Sequence, residues 1–247
     1  MFPIRDHNPS GRRAYVTLSL ILVNIAVFLA YWTTLTSDTQ LNSFFFTWGL
    51  VPENLMRGQG WITVVTSMFL HGGWMHLIGN LWFLWIFGDN LEDEMGHGKF
   101  LIFYLAAGLA AAAAQIFAAP ASPFPMVGAS GAIAGVMGGY LLLFPKAKVD
   151  VLFIFIIFFR IIAIPAWIVL GVWIGLQLFN GAATPTQASG VAYAAHIGGF
   201  LGGILMAAPA VIKRGGRGYW KQTEGHPQNP VAKYPLSKTN VPKVPRS

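Results

Sequence analysis

The chain contains no cysteine among its 247 residues. A disulfide scaffold, an iron–sulfur cluster and a thiolate zinc site are thereby excluded. Charge is scarce as well. Asp, Glu, Lys and Arg together make up 10% of the chain, against roughly 25% in an ordinary soluble domain. No Asp or Glu occurs between Lys99 and Lys148, or between Val151 and Thr223. With 55% hydrophobic residues, this deficit excludes a typical soluble enzyme of this size and a wholly disordered chain. The net charge of +7 does not point to nucleic acid. Eight of the sixteen Lys and Arg fall within residues 213–247, and long stretches of the body carry no charge. The composition is that of a polytopic membrane protein with a basic tail.

A membrane-crossing helix needs about 20 mostly apolar residues. Such runs occupy residues 14–32, 74–91, 100–119, 127–144 and 191–212. The first is too long for a signal-peptide core and is followed by no small-residue cleavage site, so it is retained as a helix. Residues 149–178 are too many for one span and contain Arg160. They divide into a hydrophobic interfacial loop, 149–164, and a further span starting near Pro165, a residue tolerated in a helix's first turn. The fold class is therefore all-α, a polytopic bundle of six transmembrane helices. Six spans put both termini on one side. Fifteen of the sixteen basic residues fall on that side and only Arg57 on the other, which makes the first side cytoplasmic. Residues 1–13 read as a cytoplasmic N-terminal tail and 14–212 as the membrane domain. Residues 213–247 read as a basic, disordered cytoplasmic tail that touches anionic headgroups. The long outer connection, 33–73, is rich in aromatics (Phe44, Phe45, Phe46, Trp48, Trp61) and is expected to lie in the outer interface.

Strongly polar groups within spans are costly and are functional candidates by default. The second span holds His76 and Asn80, the fourth Ser130 and the sixth His196. His76 and Asn80 are spaced i,i+4 and share a helical face. Spans two, four and six all run from outside to inside, and their polar residues lie within a few residues of the outer end. At 1.5 Å per residue they sit at one depth. Gly131, Gly135 and Gly139 form a stripe on span four, and Gly199 and Gly203 form one on span six. Such small-residue stripes let membrane helices approach backbone to backbone. Packing on these stripes brings Ser130 within hydrogen-bond reach of His196, the arrangement of a Ser nucleophile with a His general base. No acidic residue is available as a third member, so the unit is a dyad. His76, Asn80 and the Ser130 backbone N–H are candidate oxyanion donors. Each residue alone has a plainer reading. A Ser in a Gly-rich membrane helix is ordinarily a packing residue, and a single intramembrane His is ordinarily a ligand or relay. Glu92, Asp93 and Glu94 read as a solvated inner loop, His97 and His226 as exposed, and Phe158, Phe159, Trp167 and Trp173 as lipid-facing.

In combination these motifs resemble the rhomboid intramembrane serine proteases. Gly128-Ala129-Ser130-Gly131 is similar to the family's G-x-S-G motif. Ala195-His196-Ile197-Gly198-Gly199 with Gly203 is similar to its A-H-x-x-G-x-x-x-G. His71, His76 and Asn80 match its H-x-x-x-x-H-x-x-x-N. The resemblance covers about residues 14–212. It implies a six-helix rhomboid-like bundle with a water-filled cavity open outward, and an endopeptidase that cuts transmembrane segments of other proteins near the outer membrane face. It implies Ser130 as nucleophile, His196 as base and later acid, and His76 and Asn80 as oxyanion donors, with no metal and no cofactor. It makes His71 a structural residue of the outer loop and Glu92 a hydrogen-bonding residue at the inner end of span two. It also suggests that aromatics of span five form a lateral gate. Two positions depart from the family pattern. Trp61 is followed by Ile62 where an Arg is common, and Ala134 stands where an aromatic often packs on the catalytic His, a part that Tyr193 or Phe200 could take over. Two other readings stay open: a catalytically inactive rhomboid-like protein that binds membrane clients, and a transporter lined by His76, Asn80 and His196. The missing cysteines and compact plan suit a prokaryotic inner membrane.

Overall fold

The structure, a computed structural model, describes residues 2–155, 158–183 and 191–223. It begins with a short strand, β1 (Phe2–Asp6), followed by α1 (Tyr15–Trp32). The outer connection then folds into three short helices, α2 (Asp38–Trp48), α3 (Pro52–Met56) and α4 (Thr63–Thr66), and one 3-10 turn (Ser67–Phe69). A capping box of Ser37 and Gln40 starts α2, satisfying two backbone donors that a helix N-terminus leaves open. Two 22-residue helices follow, α5 (Trp74–Met95) and α6 (His97–Ala118). Gly96 joins them at φ 78°, a left-handed conformation that glycine adopts without penalty. It is what lets α6 start one residue after α5 stops. Beyond them lie α7 (Ser130–Leu143), α8 (Ala166–Ala183), α9 (Tyr193–Lys213) and α10 (Arg217–Thr223).

Among the described residues four helices, α1, α6, α8 and α9, are long and apolar enough to cross a membrane, and α7 is a shorter apolar helix. Helix α5 spans about 33 Å at 1.5 Å per residue. It carries Asp89, Glu92, Asp93 and Glu94 towards its C-terminal end. Helix α7 occupies the centre: eleven of its fourteen residues are buried. It packs most extensively on α9, with α6 against both. The glycines explain the closeness. A Cβ at Gly199 would collide with the carbonyl oxygen of Gly131, and one at Gly203 with that of Gly135. The alanines of α6 fill the third side, because Cβ atoms at Gly131 and Gly135 would collide with Ala111 and Ala107.

The chain is mostly helical rather than all-α. The expected interfacial loop is an antiparallel hairpin of β2 (Lys148–Phe155) and β3 (Phe158–Pro165), and β1 adds a third strand in the order β1-β2-β3. Val149, Val151, Ile161 and Ile162 are β-branched, and a strand ladder satisfies backbone groups that an irregular apolar loop would leave unpaired. Residues 1–13 are accordingly not a loose tail where described. Trp82 Nε1 donates to the Pro3 carbonyl at 2.6 Å and Asn90 Nδ2 to the Asn8 carbonyl at 2.6 Å. Arg5 and His7 both pair with Asp150 at 2.7 Å. The start of the expected disordered tail likewise forms α10. Its Tyr219 is buried, and Trp220 Nε1 donates to the Leu142 carbonyl at 3.1 Å. Residues 224–247, and His226 among them, lie outside the described residues.

Glu92 is not part of a solvated loop. Its side chain is 1% exposed and accepts from the Val16 and Thr17 amides at 2.8 Å, from Thr17 Oγ1 at 2.7 Å, and pairs with His97 Nδ1 at 2.6 Å. Helix α1 has no side-chain cap of its own. Glu92 caps it from α5, where the partial positive charge of a helix N-terminus favours a carboxylate.

Candidate active site

Ser130 is the first residue of α7, reached through Gly128 at φ 130°. Its hydroxyl therefore stands at a helix N-terminus, on the floor of a cavity of about 1130 Å³. The walls come from α5 (His76, Asn80, Phe83), α8 (Trp173) and α9 (His196). The first backbone N–H groups of a helix have no intrahelical acceptor, so the turn that carries Ser130 presents donors together with the hydroxyl.

The structure brings Ser130 and His196 together. Ser130 Oγ lies 2.7 Å from His196 Nε2, and the glycine contact of α7 with α9 one turn away holds the two backbones in place. The other imidazole nitrogen, Nδ1, lies 2.8 Å from Gln177 Oε1 on α8. An amide oxygen only accepts, so a proton on Nδ1 completes this bond and leaves Nε2 as the acceptor for the Ser130 hydroxyl. This tautomer can remove a proton from serine.

His76 stands across the loop from Ser130. Its Nδ1 accepts from the Gly72 amide at 3.3 Å, which leaves the proton of a neutral ring on Nε2. A Cβ at Gly128 would lie 2.7 Å from that Nε2 and 3.6 Å from Ser130 Oγ. The donor thus looks into the space beside the hydroxyl, and only glycine leaves that space open. Asn80 lies one turn further along α5. It is 7% exposed, and its Nδ2 donates to the His76 carbonyl at 2.9 Å. One of its two amide hydrogens is engaged there, and the other remains for the cavity.

His71 is fully buried just outside α5, its ring edge-on to His76 at 5.2 Å. Its backbone is clamped by Tyr31, whose hydroxyl donates to the His71 carbonyl at 2.6 Å and accepts from its amide at 2.9 Å. Burial, with the His76 ring beside it, pushes the His71 imidazole down to about 3, so it is neutral. The outer loop holds without the missing arginine: Trp61 and Ile62 are exposed, and Leu50 bridges Met126 instead.

Two residues were missed by sequence reasoning. Trp173 was read as lipid-facing, yet its ring lies 5.8 Å from that of His196. Phe200 backs Trp173 at 6.0 Å, one ring behind rather than on the histidine itself. The second is Gln177. It is the only strongly polar residue in the first fourteen of α8, and the rule that singled out His76 would have found it.

Residues 58–213 match the Rhomboid domain family. Among curated proteins the chain is similar to "Rhomboid protease GluP" of Bacillus subtilis (strain 168), 34% identical over 165 residues, covering 66% of this chain and 29% of that protein. It is similar to "Rhomboid protein 1, mitochondrial" of Saccharomyces cerevisiae, 32% identical over 151 residues, covering 58% and 40%. It is also similar to "Rhomboid-like protein 11, chloroplastic" of Arabidopsis thaliana, 32% identical over 132 residues, covering 53% and 43%. The chain thus spans less than half the length of each of these relatives.

Proposed function

The chain belongs to the rhomboid family, and from that membership we propose that it is an intramembrane serine endopeptidase acting through Ser130 and His196. The observation that carries the reading is the 2.7 Å approach of Ser130 Oγ to His196 Nε2, with the Gln177 amide oxygen at the other ring nitrogen. Family relatives bear protease names, which accords with it.

The geometry supports the following course of reaction. His196 Nε2 takes the Ser130 proton as Oγ attacks the scissile carbonyl carbon. The carbonyl oxygen becomes an oxyanion in the space bounded by His76 Nε2–H, the second Asn80 amide hydrogen and the Ser130 N–H. Donors placed in advance at a developing charge are worth most in a site from which bulk water is largely excluded. Collapse of the tetrahedral adduct breaks the C–N bond, and the proton on His196 passes to the leaving amine. Water from the cavity then hydrolyses the acyl-serine, with His196 again as base. Among the described residues no carboxylate reaches His196, so the imidazolium has no ionic partner and turnover is slow.

The substrates are transmembrane segments of other proteins, and residues 14–212, arranged as six spans with both termini cytoplasmic, are the membrane unit that cuts them. Helices α5 and α8 both line the cavity but share no substantial packing, so an unwound segment can reach Ser130 sideways from the bilayer. The basic residues outside the outer connection support a cavity mouth at the outer face of a prokaryotic inner membrane.

The test is fluorophosphonate labelling of the purified full chain, with Ser130→Ala and His196→Ala beside it. Label on the wild type alone is the expected result. Folded wild type that takes no label and cuts no transmembrane substrate would favour the client-binding reading.

A further inference from the structure

A rhomboid-type Ser–His pair without a carboxylate leaves one question of chemistry open: what selects the tautomer of the base. In water the two neutral tautomers of imidazole interconvert freely, and only the form with its proton on Nδ1 can accept from serine through Nε2. In a Ser–His–Asp unit the carboxylate makes that selection. Here the nitrogen that a carboxylate would hold faces Gln177 Oε1 at 2.8 Å. Nothing else among the described residues hydrogen-bonds to that nitrogen.

The surroundings argue that this contact is built rather than incidental. Gln177 is flanked by apolar residues from Ala166 to Phe179, where an amide is costly unless it is satisfied within the protein. Trp173 lies one turn earlier on the same face and holds the plane of the His196 ring from the side. One helix therefore fixes both the tautomer and the tilt of the imidazole. A neutral amide also suits this depth better than a carboxylate would, since an ionised group in hydrocarbon costs several kcal/mol more. The amide oxygen orients the ring and stabilises the imidazolium as a dipole.

We propose that Gln177 is the positioning residue of the site, a neutral third member that fixes His196 in the base-competent tautomer from α8. This rests on the serine protease reading for its consequence in rate, but not for its consequence in structure. It ties the base to the most thinly anchored of the membrane-length helices. Only 17% of the apolar window of α8 is buried, and Cβ atoms at Gly171 and Gly175 would meet nothing within 4 Å. His196 is thus competent only while α8 is seated.

The experiment compares wild type, Gln177→Leu and Gln177→Glu as full chains in detergent or bilayer discs. Leucine keeps the volume and removes the acceptor, while glutamate keeps the acceptor. The first readout is the nitrogen NMR spectrum of the histidine rings, with His196→Ala to assign the signal. The expected result is a single Nδ1–H tautomer for His196 in wild type and Gln177→Glu, and a mixture in Gln177→Leu. The second is kinetic. Gln177→Leu should lose about 10–10²-fold in kcat, as for removal of a hydrogen bond to a group that becomes charged, with KM within about twofold. Gln177→Glu should recover most of the loss. A merely structural bond between helices would lower thermal stability without moving the tautomer or splitting kcat from KM. An unchanged tautomer in folded Gln177→Leu overturns the proposal, as does full activity of that variant. If wild type shows the tautomer but no proteolysis, the protease reading fails while the positioning role stands. If Gln177→Glu does not fold, Gln177→Leu and the tautomer signal still decide.

Discussion

The Tyr140 hydroxyl donates to Asp6 Oδ2 at 2.7 Å, tying strand β1 to the helix whose other end carries Ser130. Tyr140 is fully buried and sits in the central core cluster, so the N-terminal strand is part of the folded unit. Burial pushes the Asp6 carboxyl up to about 7, the Tyr140 hydroxyl works against the shift, and the nearby Asp89 adds to it.

That raised value fixes the direction of a pH effect. Between its ordinary 3.8 and about 7, folded Asp6 holds a proton that the unfolded chain has released. Stability from this group is therefore complete below about pH 4 and falls as pH rises towards 7. The neighbouring Asp150 does not share that window. Burial alone would raise it, but Arg5 and His7 outweigh burial and hold it below the usual range, so its contribution is lost only in acid. The melting temperature of wild type should drop between pH 5 and pH 8, and Asp6→Asn, which keeps a partner for Tyr140, should flatten that slope. Equal slopes in both proteins would remove Asp6 as the cause.

Two glycine-to-alanine substitutions should behave oppositely although both lie on apolar helices. A Cβ at Gly199 would collide with the Gly131 carbonyl, which is backbone and cannot rotate away. Gly199→Ala should cost at least about 1–3 kcal/mol, as over-packing does. It should also abolish fluorophosphonate labelling by separating α7 from α9. A Cβ at Gly175 would meet nothing within 4 Å, so Gly175→Ala should be neutral or stabilise α8 by up to about 1 kcal/mol through helix propensity. Thermal melts with labelling on the same samples separate the two cases.

Much of this was legible in the chain, and the misses have physical causes. Equal depth set Ser130 and His196 at one level, because rise per residue is constant, and packing of α7 on α9 through the glycine stripes brought them together. The glycine stripe was read correctly at Gly131, Gly135, Gly199 and Gly203. At Gly139 the stripe is less tight against α9: eight residues on, at 100° each, a helix face has drifted by about 80°, while seven residues on it is off by only about 20°. Gly138 accordingly abuts Phe200 of α9, while a Cβ at Gly139 would crowd Leu91 and Phe103 and lie 3.6 Å from Ala207 of α9. The hairpin of β2 and β3 was missed because a continuous apolar run gives no alternation to read. Trp173 and Gln177 meet His196 from 23 and 19 positions away on another helix, and no local period encodes such a contact.

Glu92 offers a test of long-range capping. It satisfies the Val16 and Thr17 amides from another helix. Glu92→Ala would leave the Val16 and Thr17 amides and the Thr17 hydroxyl at the start of α1 without this acceptor, at a cost on the order of 3 kcal/mol. Glu92→Gln should lose less, since one amide oxygen still accepts. Amide hydrogen exchange at Val16 and Thr17 should rise in the alanine variant before exchange in α7 changes. Simultaneous exposure of both helices would mean that Glu92 holds the whole bundle rather than one helix end.

The oxyanion donors should be separable by rate. His76 Nε2 lies beside Gly128 and near Ser130 Oγ, and its Nδ1 is committed to the Gly72 amide. The ring is held as a donor towards the place where charge develops. His76→Ala should reduce kcat by about 10²–10³-fold, the usual cost of one such donor, with little change in KM because the ground-state carbonyl is held more weakly than the oxyanion. Asn80 has one amide hydrogen tied to the His76 carbonyl. It contributes at most one bond, and its loss also frees the turn that bears His76. Asn80→Ala should therefore cost less than His76→Ala, and the double variant less than the product of the two, because they act as a coupled pair. Gly128→Ala should resemble His76→Ala in rate, for a Cβ at that position would occupy the space facing Nε2 and would strain a backbone at φ 130°. Steady-state cleavage of a transmembrane substrate by the four variants decides it. A Gly128→Ala enzyme with normal kcat would show that the space between His76 and Ser130 is not where the oxyanion sits.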